Sequence, residues 1–200
     1  MEPKFLTLPV FPLSLVLLPG ETKVLHIFEE RYIQLVEDCL KNNANFGIPF
    51  VQKSILSEFG IEVCITSVLQ RFPNGEMDIE IRGVSPFRMI HFTPVLKPKL
   101  YGAASIKEDK DEMISSRNEL FQLLKQFVKL TKDKNVPLES LSNASVYKVA
   151  RVISLSSEEK LELISLPDLT SKESLIISKL SLLNHTIAME KRLGNNFSLN

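Results

Sequence analysis

The period of the hydrophobic pattern changes once along the sequence, and this change restricts the chain to a strand-rich part followed by a helical part. In segments 61–66 and 77–82 apolar residues alternate with polar ones, which is typical of strands with one buried face. Beyond residue 112 apolar residues recur at helical spacing. The charged run 107–112 alternates in sign and favours a solvated connector. We therefore predict a strand-rich subdomain over residues 1–108 and a helical subdomain over residues 109–200.

Proline and glycine define the ends of the predicted strands. The pair Pro19-Gly20 suits the central positions of a type II turn, and Pro73-Asn74-Gly75 predicts the turn of a β-hairpin. Gly83 predicts a bulge or bend, whereas Pro94 and Pro98 favour an edge position for the last strand. Strands are predicted over residues 5–8, 15–18, 22–28, 46–52, 61–66, 77–82, 87–92 and 96–106. The strand at 22–28 is apolar on both faces, which predicts that both faces are covered.

One helix is embedded among these strands. It is predicted to begin near Glu29 and to end at residues 41–43, with one apolar face that carries Tyr32, Leu35, Val36, Cys39 and Leu40. Arg31 in its first turn has two interpretations. Its planar guanidinium either ties the helix start to a neighbouring carboxylate or carbonyl, which we favour, or contacts a partner at the surface.

The helical part is predicted from apolar spacing and capping signals. Apolar residues line helices around 120–128 and 146–153. The sequences Ser156-x-x-Glu159 and Thr170-x-x-Glu173 have the form of capping boxes and predict two further helix starts. Because the interspersed acidic residues disfavour binding to a membrane surface, we predict that the apolar faces pack together in a bundle.

The composition excludes a general electrostatic attraction to nucleic acid or to acidic membranes, since 24 basic residues match 24 acidic ones. Cys39 and Cys64 form neither a CxxC pair nor a zinc-ligand cluster, so buried free thiols in a reducing compartment are predicted. Three prolines interrupt the apolar opening, which is also far shorter than the roughly 20 residues of a membrane span. We expect a cytoplasmic protein that has no membrane partner.

Sequence motifs of known catalytic sites are missing. There is no GxxxxGK[ST] phosphate loop, no GxGxxG fingerprint and no GxSxG elbow. His26, His91 and His185 are scattered, and His26 is expected in the core or at its rim rather than as a ligand. We therefore expect no enzymatic activity, no cofactor and no metal, although residues distant in sequence can still form a site in space.

Several short motifs occur together in the order found in the amino-terminal substrate-binding domain of ATP-dependent Lon protease, which the chain resembles over roughly residues 5–190. They read Leu8-Pro9-Val10-Phe11-Pro12-Leu13, Val16-Leu17-Leu18-Pro19-Gly20, Leu25-x-Ile27-Phe28-Glu29-x-Arg31-Tyr32, Phe46-Gly47-Ile48, Asn74-Gly75 and Gly83-Val84-x-x-Phe87-Arg88. The helical part is similar through Tyr147-x-Val149-Ala150. The family usually has arginine where this chain has Pro86, so no role is carried over to that position.

The resemblance implies an α+β fold, in which a PUA-like β pseudo-barrel with one embedded helix is followed by a C-terminal helical bundle. A complete Lon protease also has an ATPase module with a phosphate loop and a protease module with a Ser/Lys dyad. The sequence through Asn200 contains neither module. We therefore expect a free-standing Lon-type domain that hydrolyses neither peptide bonds nor ATP.

The resemblance favours a non-enzymatic module that binds unfolded or apolar polypeptide segments, with a protease or a chaperone as a candidate second partner. The candidate binding residues are Phe11, Leu13, Arg31, Tyr32, Phe87 and Arg88. A place in the core is the alternative for Phe11, Leu13 and Phe87. RNA binding, known for other PUA-like folds, is the alternative function, and the zero net charge disfavours it. A small-molecule hydrolase ranks last.

Overall fold

The computed structural model describes residues 6–109, 118–131 and 145–197. By their contacts these residues form two compact units. The described residues of the first unit are 6–109 and 156–165, and those of the second unit are 118–131, 145–155 and 166–197. One helix that the sequence assigned to the helical part, at 157–165, thus groups with the strands.

The strands of the first unit close into a barrel. They are β1 (Leu6–Val10), β2 (Thr22–Ile27), β3 (Phe46–Gln52), β4 (Ile55–Arg71), β5 (Met77–Thr93) and β6 (Gly102–Glu108). The closed path runs β5-β4-β3-β1-β6 and returns to β5, while β2 lies beside the first half of β5. The β1–β3 pair is parallel and all other pairs are antiparallel. Closure removes the open edges of the strands on this path, which would otherwise expose unpaired backbone groups.

Helix α1 (Glu30–Asn42) packs on this barrel as its pattern predicted. Its face of Tyr32, Leu35, Val36 and Cys39 is buried in one core cluster with side chains from β2 to β5. The helix ends at Asn43, whose left-handed backbone lets its N–H reach the carbonyls of the last turn. The predicted bounds of this helix and of β3 are confirmed.

Gly83 marks the place where β5 changes partners. A Cβ at Gly83 would lie 2.5 Å from the Leu18 carbonyl oxygen, so only glycine fits without moving the backbone. The register between β4 and β5 shifts here, because Val63 faces Gly83 whereas Glu62 faces Ser85. The predicted bulge is therefore confirmed. Before it β5 pairs with β2, and after it β5 pairs with β6.

Several strand predictions were wrong. Residues 15–18 form no strand, although Leu17 and Leu18 are buried. Only one face of β2 is covered, since Val24 and the adjoining Phe28 are exposed. The last strand begins at Gly102 rather than at residue 96 and is not an edge, because β1 and β5 flank it. It also includes Lys107 and Glu108, where the sequence predicted a connector.

The described residues of the second unit include α2 (Asn118–Thr131), α3 (Val146–Val152) and α5 (Leu169–Phe197), and the separate helix α4 (Ser157–Ser165) belongs to the first unit. Leu120 and Leu124 of α2 and Ile176 and Leu180 of α5 are buried. The buried amide of Asn184 donates from Nδ2 to the Leu123 carbonyl at 2.9 Å, which joins α5 to α2. The predicted helices around 120–128 and 146–153 are confirmed.

One of the two predicted capping boxes is present. Ser156 N–H donates to the Glu159 carboxylate at 2.9 Å, and Glu159 N–H donates to Ser156 Oγ at 3.2 Å. The box predicted at Thr170 and Glu173 is wrong. Helix α5 begins at Leu169, two residues before the start that this box predicts, and is capped by Asp168, which accepts from Ser171 N–H at 2.8 Å, while Glu173 is fully buried.

The turn between β3 and β4 predicts a stabilising substitution. Lys53 and Ser54 both have positive φ, 49° and 65°, as a two-residue hairpin turn of type I′ requires. Because left-handed backbone costs a residue with a Cβ about 1–2 kcal/mol, Ser54→Gly is expected to raise the free energy of unfolding by about 1 kcal/mol in urea titrations. The control Ser105→Gly, within β6, is expected to lower it by about 0.5–1 kcal/mol. A loss of stability in Ser54→Gly would contradict this reading.

The two thiols are expected to react at different rates. Cys39 is buried, and burial raises the pKa of its thiol to about 11, whereas Cys64 is half-buried. Because the thiolate is the reactive form, iodoacetamide at about pH 8 should modify Cys64 well before Cys39 in the folded protein. Peptide mass spectrometry over a time course measures both rates. The difference should vanish in urea, and equal rates in the folded protein would sink the prediction.

His26 links stability to pH. The ring lies between two carboxylates, with Nδ1 2.7 Å from Asp78 Oδ1 and Nε2 3.2 Å from Glu76 Oε2. The hydrogen bond to Asp78 is the main cause that raises the pKa of His26. The contribution of His26 to the free energy of unfolding is therefore complete below its unfolded-state pKa of about 6.5, and it is lost as pH rises through the higher folded-state pKa.

We expect His26→Gln to lower the urea midpoint more at about pH 5.5 than at about pH 8.5. His91→Gln is the matched control, since His91 is exposed and its side chain has no hydrogen-bond or ion-pair partner among the described residues. An equal loss in His26→Gln at both pH values would contradict the linkage.

Candidate functional site

A small apolar cavity lies where the first turn of α1 meets the ends of three strands. Its volume is about 250 Å³, below the roughly 300–1,000 Å³ typical of pockets for small molecules. The cavity is lined by Val10, Pro12, Arg31, Tyr32, Phe92, Pro94 and Gly102. Its lining is mainly apolar, and its size suits one side chain better than a metabolite.

The charged group at this cavity is already paired. The Arg31 guanidinium donates through Nε and Nη2 to one oxygen of Glu29, at 2.9 and 2.7 Å, and lies 4.5 Å from the centre of the Tyr32 ring. The ring of Phe11 stacks on Tyr32 with centroids 3.8 Å apart. Burial raises the pKa of the Tyr32 phenol. Arg31 thus ties the helix start to a neighbouring carboxylate, as favoured from the sequence, and also lines the cavity.

The loop of residues 94–101, between β5 and β6, is held against α1 beside this cavity. Asp38 accepts from Lys99 Nζ and from the Tyr101 hydroxyl, both at 2.7 Å, and Gln34 accepts from the Leu100 N–H at 2.7 Å. The hydrogen bond from Lys99 is the main cause that lowers the pKa of the Asp38 carboxyl, and the hydrogen bond from Tyr101 is the second. The carboxyl therefore stays charged at neutral pH. These bonds hold the loop backbone in one place.

The same loop exposes apolar side chains. Val95 is 50%, Leu96 43% and Leu100 45% accessible, although their backbone is anchored. The cavity adjoins this loop, because Pro94 belongs to both. We call the cavity together with these three side chains the α1–loop surface. A preordered apolar surface of this kind is typical of interaction sites.

A second concavity lies in the same unit, between the β3–β4 turn and α4. Its volume is about 320 Å³, and its lining residues are Phe50, Gln52, Lys53, Ile55, Ser57 and Leu161. Ile55 is the most exposed large apolar side chain among the described residues. Unlike the α1–loop surface, this second concavity has a single strongly exposed apolar side chain.

The structure brings together only some of the residues predicted for binding. Arg31 and Tyr32 line the cavity, and Phe11 is buried beneath the Tyr32 ring. Leu13 is half-buried and forms a backbone bridge with Phe50.

Phe87 and Arg88 lie outside the cavity. Phe87 is 1% exposed and packs with Leu8, Val10, Ala104 and Ile106, so its role is in the core. Arg88 is exposed, and its Nε lies 2.8 Å from the Glu58 carboxylate. We therefore drop Phe87 from the candidate site.

The apolar loop itself was missed from the sequence, because residues 96–106 were predicted to be one strand. Pro94 and Pro98 carried the available signal, since two prolines so close together disfavour a continuous ladder.

Other classes of site find no support in the part of the chain that the structure describes. No group of three or more His, Cys, Asp or Glu side chains there could hold a metal ion. His26 lies near the end of β2, where it is exposed and ion-paired, whereas the sequence predicted a position in the core or at its rim. None of the described helices combines the length and the apolar character that crossing a membrane requires.

Comparisons with known proteins agree with this architecture. The family model of the ATP-dependent protease La (LON) substrate-binding domain matches residues 7–181. A Lon N-terminal domain protein from Xanthomonas campestris has a TM-score of 0.67 at 24% identity, covering 86% of this chain and 98% of its own. The N-terminal domain of the Mycobacterium avium complex Lon protease has a TM-score of 0.59 at 14% identity, covering 88% and 98%. Among curated proteins none matches significantly.

The two solved structures are similar in fold, and the family model extends over most of the sequence. The predicted α+β class, with a strand-rich part, one embedded helix and C-terminal helices, is confirmed. The matched family model describes the substrate-binding domain alone. The chain belongs to the Lon substrate-binding domain family.

Proposed function

We propose that this chain is a non-enzymatic module that binds unfolded or apolar polypeptide segments at the α1–loop surface. The observation that carries the proposal is the anchored loop, which holds Val95, Leu96 and Leu100 out to solvent beside an apolar cavity. Because the backbone is already ordered, a bound segment gains apolar burial without a large entropic cost on the side of the protein.

The chemistry of the surface favours an apolar segment over an anion. Arg31 lines the cavity, but its guanidinium is paired with Glu29. The net charge of the chain is zero, which gives no general attraction to RNA. The family description, a substrate-binding domain of an ATP-dependent protease, supports a polypeptide as the ligand. A protease or chaperone that receives the segment is the proposed second partner, and the cytoplasm is the proposed location.

Two exposed positions in the loop test the proposal. Val95→Asp combined with Leu96→Asp places charges where apolar contacts are expected, while the anchoring residues of the loop are kept. We expect the affinity for a permanently unfolded, reduced and carboxymethylated protein to fall by about tenfold or more, which corresponds to roughly 1.4 kcal/mol. Fluorescence anisotropy of the labelled unfolded protein measures the change.

The control combines Leu182→Asp with Leu193→Asp, which introduces the same two charges at exposed leucines of α5 in the second unit. It should leave the affinity unchanged. An equal loss in both variants, or no binding by the unmodified chain, would refute the proposal. Salt-sensitive retention of RNA in a filter assay, without polypeptide binding, would favour the RNA alternative instead.

A further inference from the structure

Strand β2 has an open edge. It pairs with β5 alone, and among the described residues no other strand lies along its opposite side. The closed barrel removes the edges of β1, β3 and β6 by pairing each of them on both sides. Strand β2 therefore stands apart from the closed path, and the backbone groups along its open side pair with no strand in the described ranges.

The backbone of β2 alternates in direction. The Gly83 N–H donates to the Glu21 carbonyl at 2.9 Å, so Glu21 directs its carbonyl toward β5. In an antiparallel pair every second residue shares this direction. The backbone N–H and C=O groups of Lys23, Leu25 and Ile27 therefore also point toward β5. The N–H and C=O groups of the intervening residues Thr22, Val24 and His26 then point to the open edge.

The side chains along this edge are apolar, aromatic and acidic. Val24 is 50% and Phe28 62% exposed, and the His26 ring stacks on Phe28 with centroids 6.0 Å apart. Asp78 and Glu76 flank the His26 ring, so even an imidazolium leaves one of the two negative charges uncompensated. Glu80 lies opposite Val24, but its carboxylate accepts a hydrogen bond from the Thr66 hydroxyl of β4 on the far side of β5. The basic groups Lys23 and Arg82 lie toward the other end of the strand.

We propose that the open edge of β2 binds an extended polypeptide segment by strand addition, and that the segment alternates apolar and basic side chains. Backbone hydrogen bonds to Thr22, Val24 and His26 would supply affinity irrespective of sequence. The exposed Val24 and Phe28 would contact the apolar side chains, and the acidic groups around His26 would favour lysine or arginine. The inference rests on the proposed function, because it names a second contact and the chemistry of the segment that the module binds.

The probe is a labelled peptide of alternating valine and lysine, with two control peptides. One control replaces lysine by glutamate and tests the charge preference. The other carries N-methyl groups on alternate residues, which removes backbone donors and leaves the side chains unchanged. We expect the valine–lysine peptide to bind about tenfold more tightly than either control, and its binding to weaken as salt is added.

Matched variants place the peptide on the strand. Val24→Lys introduces a charge of the same sign as the probe and is expected to weaken binding by about tenfold. Ile90→Lys is the control, because Ile90 is equally exposed, at 50%, but lies in the half of β5 that runs along β6. Amide NMR spectra of the unmodified chain should show slower hydrogen exchange at Thr22, Val24 and His26 in the complex. Spectra of the two variants establish that both are folded.

Each outcome decides the inference. Equal binding of the N-methylated peptide would overturn strand addition, since only side chains would then be recognised. Protection of the β2 amides that depends on protein concentration without peptide would overturn it in favour of a second copy of the chain. If the unfolded protein binds and loses affinity in Val95→Asp/Leu96→Asp, but the peptide does not bind, the proposed function stands and the edge inference fails. If no polypeptide binds, both fail.

Discussion

The change of partner along β5 is the constraint on which the first unit depends. Strand β5 pairs with β2 before Gly83 and with β6 after it, while β4 follows its other side throughout most of its length. The change requires the backbone of β5 to pass against the Leu18 carbonyl, where any Cβ would be too close. Beyond this point β6 pairs with β5 and closes the barrel.

Barrel closure also creates the candidate binding surface. Because β6 must start beside the end of β5, the connection of residues 94–101 lies next to α1, where Asp38 and Gln34 accept hydrogen bonds from it. The anchors order the backbone, and the apolar side chains of the loop then have no core position left to occupy. The exposed surface is thus a consequence of how the barrel closes.

The same geometry leaves β2 outside the closed path. Its inner face contributes Ile27 to the core, whereas Val24 and His26 face solvent. The two proposed contacts therefore differ in kind. The α1–loop surface offers side-chain burial, and the β2 edge offers backbone hydrogen bonds, which accept many sequences as long as the segment is extended.

Local patterns predicted those elements whose residues agree with one another along the chain. The apolar face of α1, the turn at 73–75 and the box of Ser156 and Glu159 were correct, because each depends on neighbours in sequence. The bulge at Gly83 was also correct, because a glycine inside a strand pattern signals a bulge or a close backbone approach even where the approaching residue is distant in sequence. The turn at Lys53 and Ser54 was missed because neither residue is the glycine or asparagine that signals positive φ. Residues 15–18 have the apolar run of a strand, and apolar character alone does not provide a ladder partner.

The candidate site was predictable only in part. Arg31 and Tyr32 were identified, since they follow the signal for the start of α1. Phe87 was wrongly proposed for the site, because a strand pattern does not show whether an aromatic side chain faces the core or the surface. In the structure its ring is buried and lies against Gly47 and Gly60. The sequence by itself determined the family, the strand-rich part with one embedded helix, and the absence of recognisable catalytic motifs. Only the tertiary structure decided which apolar residues stay exposed and which strand edge stays open, because both depend on pairings between residues far apart in the chain.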